Sequence, residues 1–233
     1  MAAAGTGRVS GTLYAGTSGF SYPTWRGAFY PADSRPAEFL QRYAERLPSV
    51  ELIATYRRMP TAEQVRRWAA QAPEGFLFAP KLNGQISHGG KLALMPAFSA
   101  LMRAFGDQLG PIRIQIVRAR DDAFLTELLG SLDAELRHAI DLEHESWQTA
   151  DVDEAVAAAG VARVGELDGP APFRYLRMRE PPYDEAALAE LAGRLRPLLA
   201  DGIDVFCFFR HEDDPRGAHY ALRLLELAVD PSP

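Results

Sequence analysis

The sequence predicts an α/β fold, a single (β/α)8 TIM-barrel-like domain with parallel strands. Three observations carry this. Short apolar, strand-like runs alternate with amphipathic helical runs along the whole chain. Eight such strand candidates fit into 233 residues, a compact length for a barrel. No G-x-G-x-x-G follows the first strand and no G-x-x-x-x-G-K-[ST] occurs anywhere, which argues against an open doubly wound sheet with a phosphate loop.

The elements follow in order. Leu13–Gly16 is a short apolar strand that opens into a long aromatic loop. Pro36 to Leu47 has Phe39, Leu40, Tyr43 and Leu47 at helical spacing, with Pro36 near the start. Val50–Tyr56 reads as a strand. Thr61 caps a helix that runs to about Gln71 and stops before Pro73. Phe76–Leu82 is a strand, and Leu92 to Leu109 is mostly helical, with Pro96 tolerated near its start. Ile112–Val117 alternates as IRIQIV and is a strand. Asp121–Leu136 is helical and His138–Glu143 is a strand. Asp151–Ala159 is helical and stops at Gly160. Val161–Leu167 and Phe173–Arg179 are strands. Asp184–Ala200 is a helix, Asp204–Arg210 a strand, and Gly217–Val229 a closing helix.

Residues 1–12 read as a short disordered lead and 13–230 as one domain, because no linker composition interrupts the middle. At 47% hydrophobic and 24% charged, the chain has ample core for one soluble domain. No apolar run reaches spanning length, so no membrane partner is expected. The lead lacks a secretory pattern, and the lone Cys207 sits in VFCFF as a buried small hydrophobe. Both point to a cytoplasmic location. The net charge of −6 argues against a nucleic-acid partner, although a local basic cleft is compatible with it.

The chemistry signal is a set of polar side chains embedded in the strands. Period-two alternation sorts each strand into two faces. Glu51 shares a face with Ile53 and Thr55, and Gln115 shares one with Arg113. Asp141 and Glu143 lie together, as do Tyr175, Arg177 and Arg179. Lys81 sits at the carboxyl end of its strand. Charges on barrel strands are costly unless paired, so acids and bases are expected to meet in one polar lumen at the carboxyl-end face. Glu51, Asp141 and Glu143 would balance Lys81, Arg177 and Arg179. A cluster that only fixes the strand register is the competing explanation.

His88, His144 and His211 fall at the same rim and suit acid/base work, whereas His138 belongs to the opposite rim and His219 to the last helix. These histidines and the strand-end acids are the right ligand types for zinc or manganese. Their spacing matches no compact signature, so a divalent metal stays open as a cofactor with no residue assigned to it. The loop GTSGFSYPTWRGAFYP, Gly16 to Pro31, crowds Phe20, Tyr22, Trp25 and Phe29 together. It forms either a pocket wall or a cap on its own core.

These motifs carry a resemblance. GTSGFSYPTWRGAFYP, VELIATYRRMP, FAPKLNGQISH, DLEHESW, YLRMREPPY and FFRHEDDPRGAHYALRLLEL stand in the order found in the domain of unknown function 72 family, also called YecE-like. The chain resembles that family from about Tyr14 to Leu227. The resemblance implies a TIM-barrel-like fold and no particular reaction. Residues matching its pattern include Tyr22, Trp25, Glu51, Lys81, His88, Gln115, His144, Trp147, Tyr175, Arg177 and His211. The chain departs from it at Ile53 (usually Asn), Arg57 (usually Tyr) and Glu143 (usually Arg). A changed ligand or a decayed site would each account for this.

The leading expectation is a polar carboxyl-end pocket for a small phosphorylated or polyhydroxylated ligand, with acid/base chemistry. Lys81, Glu51, His211 and Asp141 are the catalytic candidates. Tyr22, Trp25, His88, Gln115, Glu143, His144, Trp147, Tyr175, Arg177 and Arg179 are the ligand-binding candidates. The alternatives are a metal-assisted phosphodiester hydrolase acting on nucleic acid and a non-catalytic binding protein.

Overall fold

The computed structural model describes residues 10–210 and 214–229. All eight predicted strands are present and run parallel, in two sheets. The first is a curled five-stranded sheet ordered β3-β2-β1-β8-β7, from β1 (Leu13–Ser18), β2 (Ser49–Leu52), β3 (Leu77–Pro80), β7 (Phe173–Met178) and β8 (Asp204–Phe209). The second is ordered β4-β5-β6, from β4 (Ile112–Ile116), β5 (His138–Leu142) and β6 (Ala162–Arg163). Backbone bonds join the sheets at both seams. Leu82 N–H donates to the Arg113 carbonyl at 2.8 Å, and Gly165 N–H donates to the Tyr175 carbonyl at 2.9 Å.

The helices are α1 (Phe39–Ala44), α2 (Ala54–Arg57), α3 (Ala62–Gln71), α4 (Gly84–Ser87), α5 (Met95–Met102), α6 (Asp122–Gly130), α7 (Ala150–Ala158), α8 (Glu185–Ala200) and α9 (Arg216–Val229). Side-chain caps fix several starts. The Thr61 hydroxyl accepts from Gln64 N–H at 3.1 Å, Asp121 from Phe124 N–H at 3.0 Å, and Asp184 from Ala187 N–H at 2.8 Å. Gly160, at φ 68°, ends α7 in the left-handed region.

Three spans differ from expectation. The predicted strand Val50–Tyr56 stops at Leu52 and turns into α2, where the single Thr55 hydroxyl proton is shared between the Leu52 and Lys81 carbonyls, 2.8 and 2.7 Å from its oxygen. That local bonding rewards the turn and removes Thr55 from the Glu51 face. The predicted strand Val161–Leu167 shortens to β6. The helix from Asp121 ends at Gly130, where glycine has low helix propensity.

The inward faces change character along the strands. Leu77 and Ala79 of β3, Ala139 of β5, Ala162 of β6, Phe173 and Tyr175 of β7, and Phe206 and Phe208 of β8 form one dry cluster. One alternation step further toward the carboxyl ends stand Lys81, Asp141 and Arg177. A second, larger cluster lies between strands and helices and draws residues from Leu13 to Leu224.

The Tyr43 hydroxyl of α1 is inserted between β1 and β2. It accepts from Thr17 N–H at 2.7 Å and donates to the Ser49 carbonyl at 3.0 Å. Gly16 makes this possible, because a Cβ there would come within 2.0 Å of the Ser49 carbonyl oxygen and 2.9 Å of the hydroxyl. Tyr43→Phe is therefore expected to leave two buried backbone groups unpaired and to cost about 1–3 kcal/mol. Urea unfolding checks this: the midpoint falls with an unchanged slope, and an unmoved midpoint would refute the wedge.

Candidate functional site

At the carboxyl ends of the strands, ten side chains form one continuous polar layer. Its centre is Glu51, 0% exposed. The register Ser18↔Glu51 between β1 and β2 sets the Ser18 hydroxyl 3.0 Å from one carboxylate oxygen, and the Tyr175 hydroxyl donates to the other at 2.9 Å. Arg177 of β7 lies 3.1 Å from the carboxylate and Arg113 of β4 lies 3.6 Å away. Burial alone would raise the Glu51 carboxyl. Arg177 and Arg113, with the two hydroxyl donors, outweigh it and hold the group below the ordinary carboxylate range.

From Glu51 the layer continues around the mouth. Arg113 pairs with Asp141 of β5, and Arg179 bonds that same Asp141 and reaches Glu143 at 3.1 Å. Glu143 accepts from the Gln115 amide at 2.6 Å, and the Gln115 carbonyl oxygen accepts from Lys81 Nζ. Each acid is thus matched to arginine or amide donors, as burial of a carboxylate requires.

Lys81 is the exception. It is half-buried just past β3, held in place by a backbone bridge to Arg113. Its Nζ meets the Gln115 oxygen and the face of Tyr56, 3.8 Å from the ring centroid, and among the described residues it pairs with no carboxylate. Burial first, then the charge of Arg113, push its pKa down to about 8. His88 stands beyond Tyr56, with ring centroids 5.4 Å apart and its Nδ1 2.9 Å from the Ser87 hydroxyl. Partial burial and the nearby Lys81 lower its pKa.

The structure thus brings Glu51, Lys81, Gln115, Asp141, Glu143, Tyr175, Arg177 and Arg179 together, with His88 beside them. Direct contact between Glu51 and Lys81 is absent, and Gln115 is the lysine's partner. Three predicted ligand residues have structural partners instead. Trp25 is 0% exposed and packs on Tyr22, Phe29 and Tyr30, so the aromatic loop caps its own core there. Trp147, also 0% exposed, donates from its indole nitrogen to the Arg118 carbonyl at 2.7 Å and ties two rim loops together. His144 caps the short 3-10 turn Glu145–Trp147, its Nδ1 accepting from Ser146 N–H at 3.2 Å. His211 lies outside the described residues. Tyr22 donates to the Ser18 carbonyl at 2.7 Å and lines a separate cleft of about 420 Å³. Ile53 and Arg57, two of the departures from the family pattern, line the same cleft.

Sequence reasoning passed over Arg113, although its alternation with Gln115 in IRIQIV was the signal for it. Ser18, Tyr56 and Arg118 gave none. Among the described residues no group of three or more His, Cys, Asp or Glu side chains gathers as metal ligands. Asp141 and Glu143 instead face arginines.

Comparison with known proteins follows this geometry. The family model described as "Protein of unknown function DUF72" matches residues 14–232. The chain belongs to the DUF72 family. Two solved DUF72 family structures share the fold. One, from Thermotoga maritima MSB8, is 22% identical with a TM-score of 0.77, covering 94% of this chain and 100% of that one. The other, from Enterococcus faecalis V583, is 17% identical with a TM-score of 0.75, covering 94% and 98%. Comparison with curated proteins gives no match. The members share a TIM-barrel-like fold. The family description carries no ligand or reaction.

Two outcomes are expected. Glu51→Gln leaves Arg113 and Arg177 buried without their counter-charge and should cost about 3–5 kcal/mol. Replacing Arg177 by Met in the same chain should recover part of that loss in urea unfolding. The Lys81 prediction concerns pH. The chain has two lysines, Lys81 and Lys91, so 13C-lysine labelling gives two ε-methylene signals. The Lys81 signal, assigned with Lys81→Met, should titrate near pH 8, below the ordinary lysine value. Between that pH and the ordinary lysine value of 10.5 the unfolded chain binds more protons, so the Lys81 contribution to stability rises with pH across that window. A Lys81 midpoint at the ordinary lysine value would refute the perturbation.

Proposed function

We propose that the carboxyl-end mouth binds a small phosphorylated or polyhydroxylated molecule and that Lys81 moves a proton on it. In this proposal the two sheets act as one closed (β/α)8 barrel with the site at its carboxyl-end face, and the protein works in the cytoplasm. The observation that carries the reading is the Lys81 amine, half-buried without a carboxylate partner among the described residues and with its pKa pushed down to about 8. An amine of that kind exchanges its proton near neutral pH, as a general acid or base must.

The neighbouring cations support an anionic ligand. Arg177 has a side chain 10% exposed and an Nε with no hydrogen-bond partner. Arg118 at the rim keeps Nε and Nη2 buried and without hydrogen bonds. Unmatched buried donors next to a lysine favour a ligand rich in acceptor oxygens. Arg177 would hold the anion, Gln115 would orient Lys81, and Glu51 would keep Arg177 and Arg113 in place. The role of His211 rests on the sequence alone. The metal-assisted reading finds no donor set among the described residues, and no step is assigned to a metal.

A thermal-shift panel of phosphate, sugar phosphates and polyols tests the proposal. A phosphorylated compound at about a hundred times its Kd is expected to raise Tm by roughly 5–10 °C and to move the Lys81 signal. Arg177→Gln should remove both effects. No shift across the panel sinks the reading. A shift that persists in Lys81→Met with no turnover of any panel member points to a non-catalytic binding protein.

A further inference from the structure

The cleft beside the mouth has a composition of its own. It lies between the aromatic loop after β1 and the segment from β2 through α3, and Phe20, Tyr22, Ile53, Arg57, Arg58 and Trp68 line it. Three of these are aromatic. Gln64 and Trp68 are spaced i, i+4 on α3, so both point from one helix face into the space. Among the described residues no acidic side chain lines it, although the chain carries a net charge of −6. The Arg57 and Arg58 side chains are exposed and make no hydrogen bond or ion pair among the described residues.

A concave wall of rings with unpaired guanidinium groups at its edge suits a flat, negatively charged guest. Rings stack on aromatic faces and on guanidinium planes, and the remaining arginine charge meets an anion. The volume of about 420 Å³ is within the range of small-molecule pockets.

The cleft adjoins the polar layer. Leu52, which follows Glu51 in β2, belongs to the cleft wall. The Tyr22 hydroxyl bonds the carbonyl of Ser18, whose own hydroxyl bonds Glu51. Tyr22 also feels the charge of Arg57 together with those of Glu51 and Arg177, so it stands between the two spaces.

We infer that the ligand is a monoester or similar small anion bearing a planar aromatic group, and that this ring lies in the cleft against Trp68 and Phe20. The inference rests on the reading of the mouth as the anion site. Arg57 bridges the two parts, meeting the ring edge and the charge. Ile53 and Pro60 supply the apolar floor.

The test uses phenyl phosphate and inorganic phosphate as probes on the full chain, with two NMR reporters in one titration. Trp25 and Trp147 are fully buried and Trp68 is half-buried. The Trp68 indole 15N–1H signal, identified with Trp68→Phe, therefore reports on the cleft. The Lys81 ε-methylene signal reports on the mouth. Phenyl phosphate is expected to move both signals and to bind at least about tenfold tighter than inorganic phosphate, which moves Lys81 alone. Arg57→Gln should weaken phenyl phosphate about tenfold and inorganic phosphate by a smaller factor, because the bare anion loses only the charge contact. If phenyl phosphate moves Lys81 but not Trp68, or binds no tighter than inorganic phosphate, the ring site is overturned and the mouth reading stands. If it moves Trp68 but not Lys81, the mouth reading falls and the two-part ligand falls with it. Unchanged phenyl phosphate affinity in Arg57→Gln overturns the bridging role.

Discussion

A carboxylate fully removed from water governs this molecule. Glu51 sits on β2 with no solvent contact, and an isolated charge there would be prohibitive. It is tolerated because four groups from three other strands meet it: Ser18 from β1, Arg113 from β4, and Tyr175 and Arg177 from β7. The partners come from both sheets. The same contact that neutralises the acid therefore ties the five-stranded sheet to the three-stranded one, and the backbone bonds at the seams reinforce it. Arg113 in turn brings Asp141 into place, Asp141 brings Arg179, and Arg179 brings Glu143.

That chain of pairings shapes the chemistry of the mouth. Acids and arginines largely satisfy one another, which leaves Lys81 as the group whose protonation is least fixed. Gln115 is neutral, so it can position the amine without holding its proton. Had a carboxylate stood at 115, the lysine would be locked as a cation. Arg113 beside it works in the opposite direction, favouring the free amine. The layer is thus rigid where it is charged and adjustable at one point.

Most of the fold was legible because strands and helices repeat their periods cleanly. IRIQIV sets Arg113 and Gln115 two apart, FRYLRM sets Tyr175 and Arg177 two apart, and the inward face follows from that spacing. The joint after β2 was not legible. ELIATY has the composition of a strand, but two carbonyls within reach of the Thr55 hydroxyl favour a helical turn, and no local pattern announces tertiary acceptors. Arg113 was passed over for a different reason. Its face was clear, whereas its importance depends on Glu51 and Asp141 arriving from distant strands. The tryptophans taught the reverse lesson. Trp25 and Trp147 matched a family pattern, and both proved to be buried packing and tethering groups, while Trp68, in an ordinary amphipathic helix, faces the cleft. The mouth's outline was readable from alternation; of the cleft, the loop side with Phe20 and Tyr22 was readable as a pocket wall, and the helix side was not.

The dry cluster of Phe173, Tyr175, Phe206 and Phe208 beneath the polar layer has a further consequence. It stoppers the strands from their amino ends, with Tyr14 stacked on Phe206 and Arg137 lying over the same ring. Among the described residues the inward face is therefore dry toward the amino ends and polar toward the carboxyl ends. A solute that reaches the ionisable groups meets them from the carboxyl-end side, and apolar packing backs them from below.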